Sequence, residues 1–441
     1  MSEIITPNSR KYEQARQEWN RSIQKFPMAI VYCKNYKDIS NAISFARKNH
    51  IPIRIRSGGH NYEGYSIANG AIVIDVSKLN KIKIDYIKNT VTIQGGVNNT
   101  TLYNYVSSKG YPFPGGACPT VGVSGYASGG GWGYSSRYLG LGCDSLLEIK
   151  LIDYKGCLKT ANEFVNSDLF WACRGAGGGN FGVIVSMTFK LPSKVGKVTL
   201  FELNYSAPSK LTQIKFFDTW QKWILTADER VNMKGGLYNS KSDGIYIRCN
   251  GLFYGPPIEL QSILKPFREI KGFSLKTSYL SFLDAMNKIG STYPPYEYFK
   301  STGRFVYRNY SPEELRHLIE KINQERPTGS ILTSLNIYGL GGKVNEVSKF
   351  DTAFYYRDAR YIMLIQSVWE NNKNKLENVE WVNRNFKYLY SITNGSYINF
   401  PYSPLPNYQH DYYGKNVNAL KDIKCKYDPY NVFNFPQSIK I

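Results

Sequence analysis

The sequence has no run of about 18 apolar residues, so nothing in it reads as a membrane-spanning helix. Its opening, MSEIITPNSRKYEQ, lacks the apolar core of a secretory signal. Cysteine is sparse, with 7 residues in 441, an odd number without metal-ligand spacing. That argues against a disulfide framework and against a metal site. Acidic side chains are the scarcer charge, 34 against 55 Lys and Arg, for a net charge of +21. Yet no five basic residues run together, and zinc-finger, basic-zipper and RNP patterns are missing, so no nucleic-acid partner is expected. The surplus suits solubility or adsorption to an acidic surface.

What is present is an ordinary globular composition, 42% hydrophobic and 20% charged, with 36 Tyr as its outlier. The length suits two or three domains. Strands are expected at 28–33, 51–55, 71–76, 81–86, 90–94, 147–153 and 181–190. Between them, Ile39, Ala42, Ile43 and Ala46 share one helical face. From about 197 the texture changes to longer amphipathic helices (208–225, 257–269, 312–325, 376–390) alternating with strands at 244–249, 330–338 and 360–368. Ser311-Pro312-Glu313-Glu314 carries a helix-start signature. The expected fold class is α+β, with an antiparallel sheet covered by helices in the middle of the chain.

Three glycine-dense segments stand out in the first 190 residues: RSGGHNYEGYS at 56–66, CPTVGVSGYASGGGWG from Cys118, and DLFWACRGAGGGNFGVI from Asp168. Glycines let a backbone approach a ligand such as a diphosphate closely. Their spacing fits neither a Rossmann fingerprint nor a P-loop. Val121, Val123 and Trp132 interleave with them, which suits a packed surface pressed against a flat ligand.

These segments, with the tail YYGKN to Asn416 and DPYNVF through PQSI at 436–439, resemble the flavin-binding motifs and C-terminal signature of the berberine-bridge-enzyme-like oxidases. The resemblance is strong over 24–195 and 396–441. It implies a PCMH-type FAD-binding domain at 1–195, a substrate-binding α+β domain at 196–395, and a C-terminal segment at 396–441 packing back on the first domain. It further implies covalent FAD, bonded through His60 to the flavin 8α carbon and through Cys118 to ring carbon C6. Imidazole and thiolate are the nucleophiles such bonds need. Flavin contacts are implied for Arg56, Ser57, Gly58, Gly59 and Asn61, for Val121, Gly122, Gly125, Tyr126, Ser128 and Gly129, and for Gly182, Val183 and Asn416.

For catalysis the resemblance implies Tyr397 as base, Asn399 as its motif partner, Tyr62 near the substrate and Gln366 as a substrate-facing polar residue. Leu364 shares the Gln366 face and competes for that assignment. Trp132 stands where relatives carry a tyrosine that partners the base, Tyr126 where many carry a ribityl-contacting histidine, and Phe400 where a tyrosine is frequent. Val121 matches a position where valine accompanies oxygen access. The implied reaction is oxidation of a carbohydrate or aromatic secondary metabolite by hydride transfer to flavin N5, with molecular oxygen reduced to hydrogen peroxide. The alternative is a spore-coat or surface-associated flavoprotein with a mainly structural role.

Overall fold

In a computed structural model, which describes residues 2–441, the first 190 residues build two small sheets. Four strands lie in the order Glu3–Ile5, Ala29–Tyr32, Ile72–Asp75, Ile53–Arg56. The last three run parallel, which requires crossovers; one is the helix Tyr36–Lys48. Asn35 caps it by accepting from the Asp38 amide, and Ile39, Ala42, Ile43 and Ala46 are buried as their spacing predicts. The second sheet is antiparallel, ordered Ile82–Asp85, Thr90–Gln94, Val183–Lys190, Leu146–Ile152, Leu158–Asn162.

An eight-stranded antiparallel sheet dominates the middle of the chain. Its order is Phe273–Leu280, Val198–Ser206, Gly244–Phe253, Val231–Ser240, Ser330–Gly339, Tyr361–Trp369, Tyr298–Ser301, and Arg304–Val306 also pairs with Tyr361–Trp369. Strand side chains alternate between faces. Odd-numbered residues, among them Leu203, Tyr205, Met233, Leu237, Ile247, Leu335, Ile337, Met363 and Ile365, are buried in one core with Phe216, Trp220, Leu315 and Ile319 of the covering helices Lys210–Thr226 and Pro312–Asn323. Each such side chain contributes roughly 1.5–3 kcal/mol by leaving water. Ser311 and Glu314 form the reciprocal cap that their spacing predicts. The even-numbered face is polar and aromatic and turns toward the glycine-rich segments.

Two differences from the sequence reading have physical causes. Strands such as Val231–Ser240 (VNMKGGLYNS) were not anticipated, because a strand whose second face borders a cavity loses the apolar density that marks a buried strand. The helix predicted at 257–269 is two pieces, Pro257–Ile263 and Lys265–Arg268, since Pro266 cannot donate to the preceding turn.

Buried ion pairs join the units. Lys424 and Asp428 are wholly buried 2.7 Å apart, and the same ammonium donates to the carbonyls of Asn180 (2.6 Å) and Phe433 (2.7 Å), tying the tail to the third glycine segment. Arg304 binds Asp411 at 2.8 Å, tying sheet to tail, and Arg357 binds Asp144 at 2.7 Å. Among the described residues, no helix is long and apolar enough to cross a membrane.

Candidate functional site

A cavity of about 820 Å³ separates the glycine-rich segments from the even face of the large sheet. Its first wall is made of backbone. A Cβ on Gly58 would fall 2.3 Å from the Gly122 nitrogen and 2.6 Å from the Thr120 carbonyl, so the first two segments interlock main chain to main chain. At Gly125, by contrast, a Cβ would meet nothing within 4 Å, and at Gly178 only the Gly125 Cα at 3.5 Å. A side chain at either would project into the cavity. The result is a bare floor between the second and third segments. Among the described residues, the amides of Gly58, Gly59 and His60 donate to no protein acceptor. A flat floor flanked by free amides fits an isoalloxazine ring and its diphosphate tail.

His60 and Cys118 both line this cavity. The imidazole stacks on Trp19 at 5.1 Å, and its Nε2 lies 2.7 Å from Thr120 Oγ1. Burial pulls its pKa down to about 4, which leaves the ring neutral, the nucleophilic form. Burial raises the Cys118 thiol, opposed by hydrogen bonds from the Thr120 amide and hydroxyl. Thr120 thus touches both side chains, a role the sequence did not signal. Ser57, Gly58, Gly59, Asn61, Val121, Gly122, Gly125, Tyr126 and Gly182 also reach the cavity.

Other residues expected there are held elsewhere. Arg56 is buried on Asp75 (2.6 Å), with Glu18 at 3.5 Å, inside the four-stranded sheet; Arg54 lines the cavity instead. Val183 packs in the core beneath Gly182 and Ile184, as strand alternation requires. Ser128 bonds the Ser124 carbonyl at 2.7 Å. Gly129 is glycine because Asn399 closes over it, its Oδ1 2.1 Å from where a Cβ would sit. Asn416 spends its amide on the carbonyls of Lys349, Thr352 and Ala353. The Tyr126 hydroxyl, expected to face the cofactor, donates to the Pro114 carbonyl at 3.0 Å, leaving its ring on the wall.

The largest correction concerns Tyr397. Its ring is 2% exposed, packed among Phe305, Phe354 and Phe400, and the cavity wall beside it is formed by Ile398, Asn399 and Phe400. Its oxygen accepts from the Gly131 amide (3.0 Å), the Trp132 amide (2.9 Å) and Asn399 Nδ2 (3.0 Å). Those donors favour the phenolate, yet burial outweighs them and the pKa rises to about 12. The phenol keeps its proton near neutrality and braces the Gly131–Trp132 turn from behind.

The second wall is made of side chains. Tyr238, Tyr246, Ser334, Asn336, Tyr338 and Gln366 project from it, and Gln366, not Leu364, reaches the cavity. Trp132 packs against Tyr338 with its ring tilted and the centroids 4.6 Å apart, and donates Nε1 to the Gly339 carbonyl at 2.7 Å. Tyr62 stacks on Phe400 at 5.1 Å, with its edge to Phe299. Sequence reasoning missed Lys234, Tyr293 and Glu297. Lys234 lies on the strand Val231–Ser240 and Tyr293 and Glu297 on the loop before Tyr298–Ser301, and no local pattern connects the strand to the loop.

Comparison with known proteins gives the same picture. A family model described as "FAD binding domain" matches residues 27–162, and one described as "Berberine and berberine like" matches 396–440. An FAD-linked oxidoreductase of Bacillus subtilis, YgaK, is 33% identical over 99% of this chain and 96% of its own. Reticuline oxidase of Papaver somniferum is 28% identical over 94% of this chain and 83% of its own. The structure of a Physcomitrella patens protein named BBE-like 1 superposes with a TM-score of 0.91 at 27% identity, covering 100% of this chain and 97% of that one.

Proposed function

The chain belongs to the berberine-like family of FAD-linked oxidoreductases, and from that premise we propose that it holds FAD by two covalent bonds, to His60 and Cys118, and oxidises a small alcohol. The observation that carries the reading is the pairing of His60 and Cys118 through Thr120 at the edge of the bare glycine floor. When bound, FAD supplies the two-electron acceptor that the protein's own side chains lack. The overall change balances as alcohol plus dioxygen giving carbonyl plus hydrogen peroxide.

The protein's contribution is placement. Neutral His60 and the Thr120-bonded Cys118 thiol supply the two points of attachment. Interlocked Gly58 and Gly122 fix the spacing of the loops that carry them. On the substrate side, Tyr62 and Trp132 offer aromatic faces already locked by Phe400 and Tyr338, while Asn336, Ser334 and Gln366 offer hydrogen bonds. This mixture suits a hydroxylated ring compound, sugar or aromatic. Val121, small and on the cavity wall, leaves room for dioxygen. Tyr397 and Asn399 act as positioning residues for the Trp132 turn and for the Tyr126 carbonyl, which Asn399 Nδ2 reaches at 2.8 Å.

The test is acid precipitation of the holoprotein, followed by mapping of flavin-bearing peptides and a peroxide-release screen across sugars and aromatic alcohols. Flavin retained on peptides containing His60 and Cys118 is the expected result. Flavin lost wholly to the supernatant sinks the covalent reading.

A further inference from the structure

Lys234 stands on the sheet wall, opposite Asn250 on one neighbouring strand and Tyr338 on the other. Its ammonium lies over the rings of Tyr293 (4.9 Å to the centroid) and Tyr338 (5.3 Å). Among the described residues its one hydrogen bond goes to the Tyr293 hydroxyl, and no carboxylate pairs with it. An ammonium has three donors, so two remain for whatever enters. A cation that faces a cavity without an ion pair gains when an anion arrives to meet it.

The surroundings favour such an anion. Arg248, Lys276 and Lys288 border the same cavity, and the glycine-rich wall contributes no carboxylate to it. Of the two carboxyls that do border it, Glu202 lies 4.0 Å from Arg248. The other is Glu297, whose backbone is pinned by the Arg21 amide donating to its carbonyl (2.7 Å) and by its own amide donating to the Trp19 carbonyl (3.2 Å). Its carboxyl has no hydrogen-bond partner among the described residues. Burial lifts its pKa to about 7, so near neutrality it is half uncharged and able to donate. The cations that border the cavity thus outnumber its carboxyls.

We infer that the substrate is an alcohol bearing a carboxylate, and that the Lys234 ammonium receives that anionic group inside the cavity. The word alcohol rests on the oxidase reading; the anion site does not. Glu297, when protonated, completes the site as a second donor, and when ionised opposes it. The groups facing Glu297 are Lys234 and Tyr338 on the sheet, Tyr293 on its own loop, and Tyr62 and Cys118 across the cavity. The phenols are all raised by burial and stay protonated, so Glu297 is the group among them that titrates near neutrality.

Calorimetric titration of the holoprotein tests this with matched probes: 4-(hydroxymethyl)benzoate against its amide, and galacturonobiose against galactobiose. In whichever arm has the right scaffold, the carboxylate should bind about tenfold more tightly than its neutral partner, the worth of one charge-assisted hydrogen bond. Lys234→Met should erase that preference without weakening the neutral probe, whereas Lys234→Arg should keep it. Carboxylate affinity should fall as pH rises through about 7, and Glu297→Gln should bind the carboxylate without that fall. The inference is overturned if neither arm prefers the carboxylate, if Lys234→Met weakens both members of a pair equally, or if Glu297→Gln abolishes carboxylate binding. Calorimetry reads binding, not turnover, so the two readings fail separately. A loosely held flavin with intact carboxylate preference refutes the covalent oxidase, and a covalent flavoprotein indifferent to charge refutes the anion site.

Discussion

The two walls of the cavity are built on opposite principles. On one side, Gly58, Gly122, Gly125 and Gly178 expose main chain, and most side chains there serve to hold loops together. On the other, alternate residues of several strands each present a side chain, and the backbone is wholly consumed by sheet pairing. The first arrangement is specific for one flat, invariant ligand, because a floor without side chains has little left to vary. The second can exchange one residue at a time without disturbing the sheet, which is where specificity for a particular substrate can be written.

The sharpest way to break this contrast is to put a side chain on the bare floor. Gly125→Leu should leave the fold intact, since a Cβ there meets nothing, yet reduce flavin content more than about tenfold; absorbance of the purified protein measures it. If Gly125→Leu loads flavin normally, the floor is not the flavin's seat. His60→Ala combined with Cys118→Ala should release all flavin on acid precipitation, while either single change should leave it attached through the remaining residue.

Outside both walls, Lys424→Ala removes one partner of a fully buried pair and two further hydrogen bonds, and should cost about 3–5 kcal/mol in chemical denaturation. A loss near zero would show that the tail is not fastened through this ammonium. The smallest effect belongs to Glu297, on the loop beside the sheet wall. Burial raises the Glu297 carboxyl from 4.5 to about 7, so its ionisation opposes folding. The penalty is absent below about pH 4.5, grows as pH climbs, and is complete above about 7. Glu297→Gln should therefore melt like the parent at low pH and about 1–3 °C higher at pH 8. Identical melting at both pH values would place the carboxyl in solvent.

The contrast between the walls also explains what could be read in advance. The glycine-rich wall is local: each turn is written in consecutive residues, and His60, Cys118, Val121 and Gly125 all line the cavity. Expectations failed where direction mattered. Arg56 and Val183 sit in the right motifs but point to the wrong side of their strands, and Asn416 and Ser128 satisfy neighbouring backbone. Tyr397 is the instructive case. Its motif was legible, but burial, a property of Phe305, Phe354 and Phe400 converging from separate elements, holds its proton and keeps it behind the wall.

By itself, the sequence determined the flavin-binding class, the helix caps, the amphipathic faces and the setting of His60 and Cys118 in two glycine-rich turns, because all of these depend on residues close together in the chain. Tertiary structure alone decided which strand face meets the cavity, which phenol is sealed, and that Lys234, Tyr293 and Glu297 share one space. Those outcomes depend on burial and on neighbours drawn from distant strands, and neither quantity exists until the chain is folded.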